Sequence, residues 1–229
     1  MIEGSISDKE GESKVKITKT LNFDETAQYP LVSGAFVTIT DNTTDQTDTL
    51  SESEQGIYIN NSLVGTEGHN YTLNVKIENE IFSAVSKMPF SVHFYSIVQE
   101  APSGLNMNDK LKNLVLLTPH YIGSYNFENF YQFVIIKNDT LQSDFFVRSD
   151  VNLDGNSSAS PLWIIANKAD LVTIDMQCVD KTTYDYYFGL IENIYQSSST
   201  PSNPASNINN GALGVFKAHT SQKKSIIIE

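Results

Sequence analysis

The sequence predicts a mainly β protein. Two observations carry this prediction: short segments in which apolar and polar residues alternate, and Gly, Asn and Asp turn residues between them. Both are clearest at 33–75, which reads S-G-A-F-V-T-I-T-D-N, then G-I-Y-I-N, then G-T-E-G-H-N-Y-T-L-N-V. Short strands that recur every roughly 8–12 residues with turns between them are typical of a β-sandwich.

The composition fits one large or two small domains and narrows the classes of partner. The chain has 229 residues, 40% hydrophobic and 18% charged, with a net charge of −12 and Arg148 as its only arginine. Nucleic-acid binding requires clustered Lys and Arg, so we expect no nucleic-acid partner, and an anionic membrane surface is disfavoured for the same reason. The only cysteine, Cys178, shares an alternation face with Val172, Ile174 and Met176, which predicts a core thiol.

The region before Pro89 is interpreted as the first domain, residues 1–88, an immunoglobulin-like or prealbumin-like β-sandwich. In K-V-K-I at 14–17, Val15 and Ile17 alternate with lysines, as expected of a half-buried strand. The predicted strands lie at 2–7, 14–21, 35–40, 48–51, 57–60, 71–77 and 80–87. Met88-Pro89 is taken as the boundary, because a proline after a strand and before a new apolar run favours a short linker.

Residues 89–229 are predicted to form a β-sandwich or barrel-like domain with one helix. The segment 129–138 is apolar on both faces, which indicates a central strand, and 139–149 follows as its hairpin partner. Further strands are expected at 162–165 and 171–179, and two separate strands at 212–219 and 224–228.

A helix is predicted near 182–196, with Thr182 or Thr183 as its N-cap. Its apolar residues recur at helical spacing and are interpreted as core packing rather than as a ligand platform. They are Tyr184, Tyr187, Phe188, Ile191, Ile194 and Tyr195.

The best match to a metal motif is D-x-N-x-D-G, formed by Asp150, Asn152, Asp154 and Gly155. Oxygen ligands at alternate positions followed by glycine resemble the start of a helix-loop-helix calcium loop. The twelfth position, where a bidentate Glu is required, is Pro161, and both flanks read as strands. Asp150, Asn152 and Asp154 are therefore a calcium candidate, with an ordinary polar turn as the alternative.

No catalytic or cofactor-binding residue can be assigned from the sequence. The histidines at 69, 93, 120 and 219 have no local zinc spacing. No nucleophile elbow or phosphate loop is present. A hydrolytic carboxylate pair would have to be assembled from residues distant in the sequence.

Segments at both ends of the chain carry a family resemblance. They are E-G-S-I-S at 3–7, P-L-V-S-G-A-F-V-T-I-T-D-N at 30–42, T-Y-D-Y-Y at 183–187 and P-A-S-N-I-N-N-G-A-L-G-V-F-K-A-H at 204–219. This pattern resembles the Bacteroidota outer-membrane lipoprotein family called domain of unknown function forty-two forty-nine. The resemblance implies a lipid-anchored protein on the periplasmic or cell-surface side of the outer membrane, encoded beside TonB-dependent transporters. It implies no activity and no catalytic residues.

From this resemblance we expect a non-enzymatic accessory lipoprotein that associates with a TonB-dependent transporter and helps it to take up a nutrient or glycan ligand. Contact with the membrane would come only through a lipid anchor that this sequence does not contain. Because Met1 opens almost directly on a predicted strand, we expect the targeting segment to lie upstream. The alternatives are a surface adhesion or assembly module, and a hydrolase with a carboxylate pair.

Overall fold

A computed structural model describes residues 1–19, 29–100, 113–123, 128–150, 160–195 and 203–229. These residues are mainly β with one helix, which confirms the predicted fold class. The elements are β1 (Ile2–Ser7), β2 (Lys14–Ile17), β3 (Phe36–Asp41), β4 (Gln46–Glu54), β5 (Ile57–Ile59), β6 (Asn70–Ile77), β7 (Glu80–Lys87), β8 (Phe94–Glu100), β9 (Leu114–Tyr121), β10 (Phe130–Lys137), β11 (Thr140–Ser149), β12 (Leu162–Ile165), β13 (Leu171–Val179), α1 (Lys181–Tyr195) and β14 (Gly214–Ile227).

The chain divides into two compact units. Unit 1 comprises Met1–Phe90 and Val179–Thr220, and unit 2 comprises Ser91–Cys178 and Ser221–Glu229. The first crossing, after Phe90, lies close to the boundary placed at Met88-Pro89. The consecutive division into 1–88 and 89–229 nevertheless needs correction, because 179–220, including the helix, belongs to unit 1.

The return of the chain to unit 1 follows from one long-range strand pairing. The start of β14 runs parallel to β1, with Gly214 opposite Ile2 and His219 opposite Ser7. Gly214 has a φ of 115°, and a Cβ at this position would collide with the backbone of Ile2. Only glycine combines this φ with such a close approach, so Gly214 permits the pairing to begin.

The strands of unit 1 have the order β14-β1-β2-β5-β4-β3-β6-β7 within an 11-stranded sheet. Its strands alternate as predicted: Val37 and Ile39 on β3 pair with Val75 and Leu73 on β6, and all four are buried. These side chains join residues of β1, β2 and β14 in one apolar core.

The helix α1 is present, but its cap and its buried face differ from the prediction. Asp180 is the N-cap: its Oδ1 accepts a hydrogen bond from the Thr183 amide at 2.8 Å, and its carbonyl accepts one from the Tyr184 amide. An Asp at this position satisfies amides that the first turn leaves without helical partners. Tyr186 is buried, whereas Phe188 and Ile194 are 42% and 67% exposed.

The strands of unit 2 form a sandwich, in which β11-β10-β13-β14 belong to the 11-stranded sheet and β12-β9-β8 form a separate sheet. Tyr131, Phe133 and Ile135 of β10 pack with alternate residues of β13 and with Leu117 of β9. The central position predicted for the strand at 129–138 is confirmed, since β10 lies between β11 and β13. Cys178 is buried in this core, as its alternation face predicts.

Two strand predictions need correction. The separate strands expected at 212–219 and 224–228 form one continuous strand, β14. No strand is predicted at β9, which is a buried strand of unit 2 even though it contains Pro119. Proline cannot donate to a ladder hydrogen bond, so its presence hides a strand from pattern reading.

Candidate functional site

Asp150, the first residue of the calcium candidate, lies just after β11 and serves as a hydrogen-bond acceptor. Its Oδ1 accepts a bond from the Asn129 amide at 2.6 Å. Its Oδ2 accepts one from Asn129 Nδ2 at 2.6 Å and one from the Tyr131 hydroxyl at 2.8 Å. Asn152 and Asp154 lie outside the described residues, so the calcium hypothesis stays a prediction.

The surroundings of Asp150 hold it firmly against β10. A Cβ on Gly123 would fall on the Asp150 carboxylate, so glycine leaves space for this carboxylate. Burial, followed by the hydrogen bond to Asp150, raises the pKa of Tyr131 far above its ordinary value. Tyr131 therefore remains a hydroxyl donor to Asp150 throughout the physiological pH range.

The histidines occupy separate places. His69 Nδ1 lies 2.7 Å from Asp41 Oδ2 in unit 1, His93 makes an edge contact with Tyr95 in unit 2, and His219 is buried on β14. Within the described ranges, no group of three or more His, Cys, Asp or Glu side chains is arranged to hold a metal ion.

The Asp41–His69 pair connects the end of β3 to the turn before β6. The side chains of His69 and Asp41 are 24% and 17% exposed. Partial burial acts to raise the pKa of Asp41, but the hydrogen bonds from His69 and from the Thr43 amide outweigh it, so the pKa is lowered. The carboxylate is thus stabilised in its ionised form, and His69 is held by its Nδ1 atom.

Residues 204–219, which carry part of the family resemblance, have a structural role that their sequence does not reveal. Asn207 Oδ1 accepts a hydrogen bond from the Phe216 amide at 2.9 Å, and its Nδ2 donates to the Phe216 carbonyl at 2.7 Å and the Val85 carbonyl at 3.3 Å. Asn209 Oδ1 accepts from the Ser83 amide at 2.7 Å, and the Asn209 amide donates to the Ser83 carbonyl. These side-chain amides take the place of a neighbouring strand.

Ser86 adds a second link between the same strands. Its Oγ accepts a bond from the Ala218 amide at 2.8 Å and donates to Asp180 Oδ2 at 2.6 Å. We call Ser86, Asn207 and Asn209 the β7–β14 bridge. Within unit 1, β7 and the residues of β14 that pair with β1 are the two outer strands, so the bridge covers backbone groups of both and links them.

An exposed apolar surface lies on the outer face of β12 in unit 2. Trp163 and Ile165 are each 49% exposed, whereas Leu162 and Ile164 between and beside them are buried. Trp163 lies opposite Leu116 on β9, so the surface continues onto the neighbouring strand. The sequence L-W-I-I at 162–165 already indicated this exposed surface. When a strand is apolar on both faces, one apolar face must point outward.

Comparison with known protein families identifies the chain. Residues 1–225 match the family described as domain of unknown function (DUF4249), and the chain belongs to that family. No curated protein matches the chain. Among the described residues, no helix is both long enough and apolar enough to cross a membrane.

Proposed function

We propose that the protein is a non-enzymatic accessory lipoprotein of the outer membrane that associates with a TonB-dependent transporter and assists uptake of a nutrient. The family membership supports this proposal through the resemblance described above. The observation that carries it is the exposed pair Trp163 and Ile165. Half-exposed Trp beside aliphatic residues is typical of surfaces that bind other proteins.

The carboxylate and amide side chains that could take part in a reaction are engaged in structural hydrogen bonds, which supports a binding role rather than catalysis. The carboxylates of Asp150 and Asp180 accept hydrogen bonds from amides and hydroxyls of their own unit, and Asn207 bonds to backbone groups. These groups hold strands and a helix in place, so their role is structural.

The test is co-purification from the native outer membrane. We expect the native gene to encode a lipoprotein signal peptide, and metabolic labelling with palmitate to mark the protein. The tagged protein should capture a TonB-dependent transporter, and Trp163→Ala should weaken this capture. Phe36→Ala is the matched control, because Phe36 is an aromatic residue of unit 1 with 59% exposure. An unlabelled cytosolic protein, or capture of no transporter, would refute the proposal.

A further inference from the structure

Among the described residues, β12 pairs with β9 on one side and with no strand on the other, which we call its open side. The Ala166 amide donates to the Asn113 carbonyl at 2.9 Å, so these residues form a hydrogen-bonded pair beside β12 and β9. In an antiparallel ladder, bonded and non-bonded pairs alternate. With the regular register between the two strands, Leu162 and Ile164 direct their backbone groups toward β9. Trp163 and Ile165 therefore direct theirs to the open side.

The open side combines two features that recognise an extended chain. The N–H and C=O groups of Trp163 and the N–H of Ile165 have no hydrogen-bond partner among the described residues. The side chains of the same two residues are the ones that are half-exposed on the outer face. A chain that pairs with this edge would gain backbone hydrogen bonds and apolar contacts together.

Lys137 determines which kind of chain can pair with the open edge of β12. Its Nζ donates a hydrogen bond to the Ile165 carbonyl at 3.0 Å, which covers one acceptor of the edge. Antiparallel pairing of two copies of β12 about Ile164 would require that carbonyl in both copies, and each copy carries a net charge of −12. An edge lysine is a common protection against such self-pairing. An ammonium has further donors, however, and a carboxylate on an incoming chain would complement it.

We propose that the open edge of β12 binds an extended segment of a partner protein by β-strand addition. The segment places apolar side chains beside Trp163 and Ile165 and a carboxylate beside Lys137. It gains backbone hydrogen bonds from Trp163 and Ile165, and its side chains give specificity. The proposal does not rest on association with a transporter, so either can fail without the other.

The probes are two synthetic six-residue peptides of alternating valine and threonine, blocked at both ends, with glutamate at either the first or the last position. The reporter is Trp163, the only tryptophan of the chain. We expect one peptide to shift Trp163 emission to shorter wavelength with a saturable titration, and the preferred glutamate position gives the direction of the added strand. If neither peptide produces a saturable shift, the proposal is wrong.

N-methylation separates strand addition from binding through side chains alone. In an added strand, the N–H groups of alternate residues face the edge, so methylation of only one of the two sets should weaken binding. We expect the version methylated on the edge-facing set to lose about ten-fold or more in affinity, and the other version to bind as before. Equal binding of both methylated versions would overturn the proposal.

Two variants test the edge itself. Ile165→Pro removes an outward N–H and leaves the pairing with β9, so it should weaken peptide binding about ten-fold, whereas Ile165→Val should not. Lys137→Gln should weaken binding of the glutamate peptide but not of its glutamine analogue. Sedimentation of the wild type as a dimer that Ile165→Pro dissociates would show that a second copy occupies the edge, and would overturn the proposal.

Discussion

Replacement of Asn207 by alanine tests whether the β7–β14 bridge holds the unit 1 sheet. The change removes the two bonds to Phe216 and the longer bond to Val85. At roughly 0.5–1.5 kcal/mol net for each bond, the loss is about 1.5–4.5 kcal/mol. Phe216 is fully buried, so its amide and carbonyl gain little water in exchange. We therefore expect about 2–4 kcal/mol of destabilisation.

Thermal and urea unfolding followed by circular dichroism measure this loss. For a chain of this size, about 2–4 kcal/mol corresponds to a fall in Tm of roughly 4–16 °C. Hydrogen exchange at the amides of β7 and the start of β14 should accelerate in parallel, because these are the groups that the bridge covers.

Two further variants sharpen the test. Asn210→Gly removes an exposed amide whose bond to the Ile81 carbonyl measures 3.5 Å, and glycine tolerates the φ of 58° at this position. It should change the free energy of unfolding by less than about 0.5 kcal/mol. Asn207→Asp keeps the shape but points a carboxylate at two carbonyls, so the folded state should raise the pKa of the introduced carboxyl. Its destabilisation should therefore shrink, relative to wild type, as pH falls from about 7 to 4. Equal stability of Asn207→Ala and Asn210→Gly would refute the role of the bridge.

Three other predictions follow from single residues. Asp180→Ala should cost about 1–3 kcal/mol and reduce the helical dichroism signal, whereas Asp180→Asn keeps the acceptor for the Thr183 amide and should cost less; equal losses would exclude a capping role. Because the pKa of Asp41 is lowered in the folded state, its contribution to stability is present above about pH 4 and is lost as pH falls through the lowered value. Asp41→Asn should therefore lose less stability than wild type between about pH 5 and pH 2 in urea titrations, and an unchanged pH profile would contradict this. Since three protein donors already bond to the Asp150 carboxylate, we expect millimolar calcium to leave Tm unchanged; a rise in Tm that Asp150→Asn abolishes would instead establish a calcium site.

Only part of the candidate site could be predicted from the sequence. The D-x-N-x-D-G motif at Asp150 could be identified from its residue types. Calcium ligands and turn residues share these types, so the sequence left both interpretations open. The bonds of Asp150 to Asn129 and Tyr131 were not visible, because they depend on the β10–β11 pairing. The role of Asn207 was hidden for a similar reason: an Asn in a polar loop looks the same whether it faces water or another strand.

Local pattern determined the strands and their inward faces. The alternation in β6 and β13 placed their predicted inward residues correctly, because side chains of a strand point to opposite faces at every step. The same logic located the helix and predicted a buried Cys178. These properties depend on neighbours in the chain, and the amino-acid sequence by itself specifies them.

Tertiary structure decided which strands are partners and which edges stay open. The parallel pairing of β1 with β14 joins residues far apart in the chain, and no local pattern encodes it. That pairing returns residues 179–220 to unit 1 and makes β7 and the start of β14 the outer strands of this unit, which Asn207 connects. It thereby explains the structural role of residues 204–219. The open edge of β12 is likewise decided by tertiary structure, because whether a strand lies at an edge depends on which other strands pair with it. The physical reason is that strand alternation depends only on neighbouring residues. Strand pairing depends on how segments distant in the chain pack together in the whole unit.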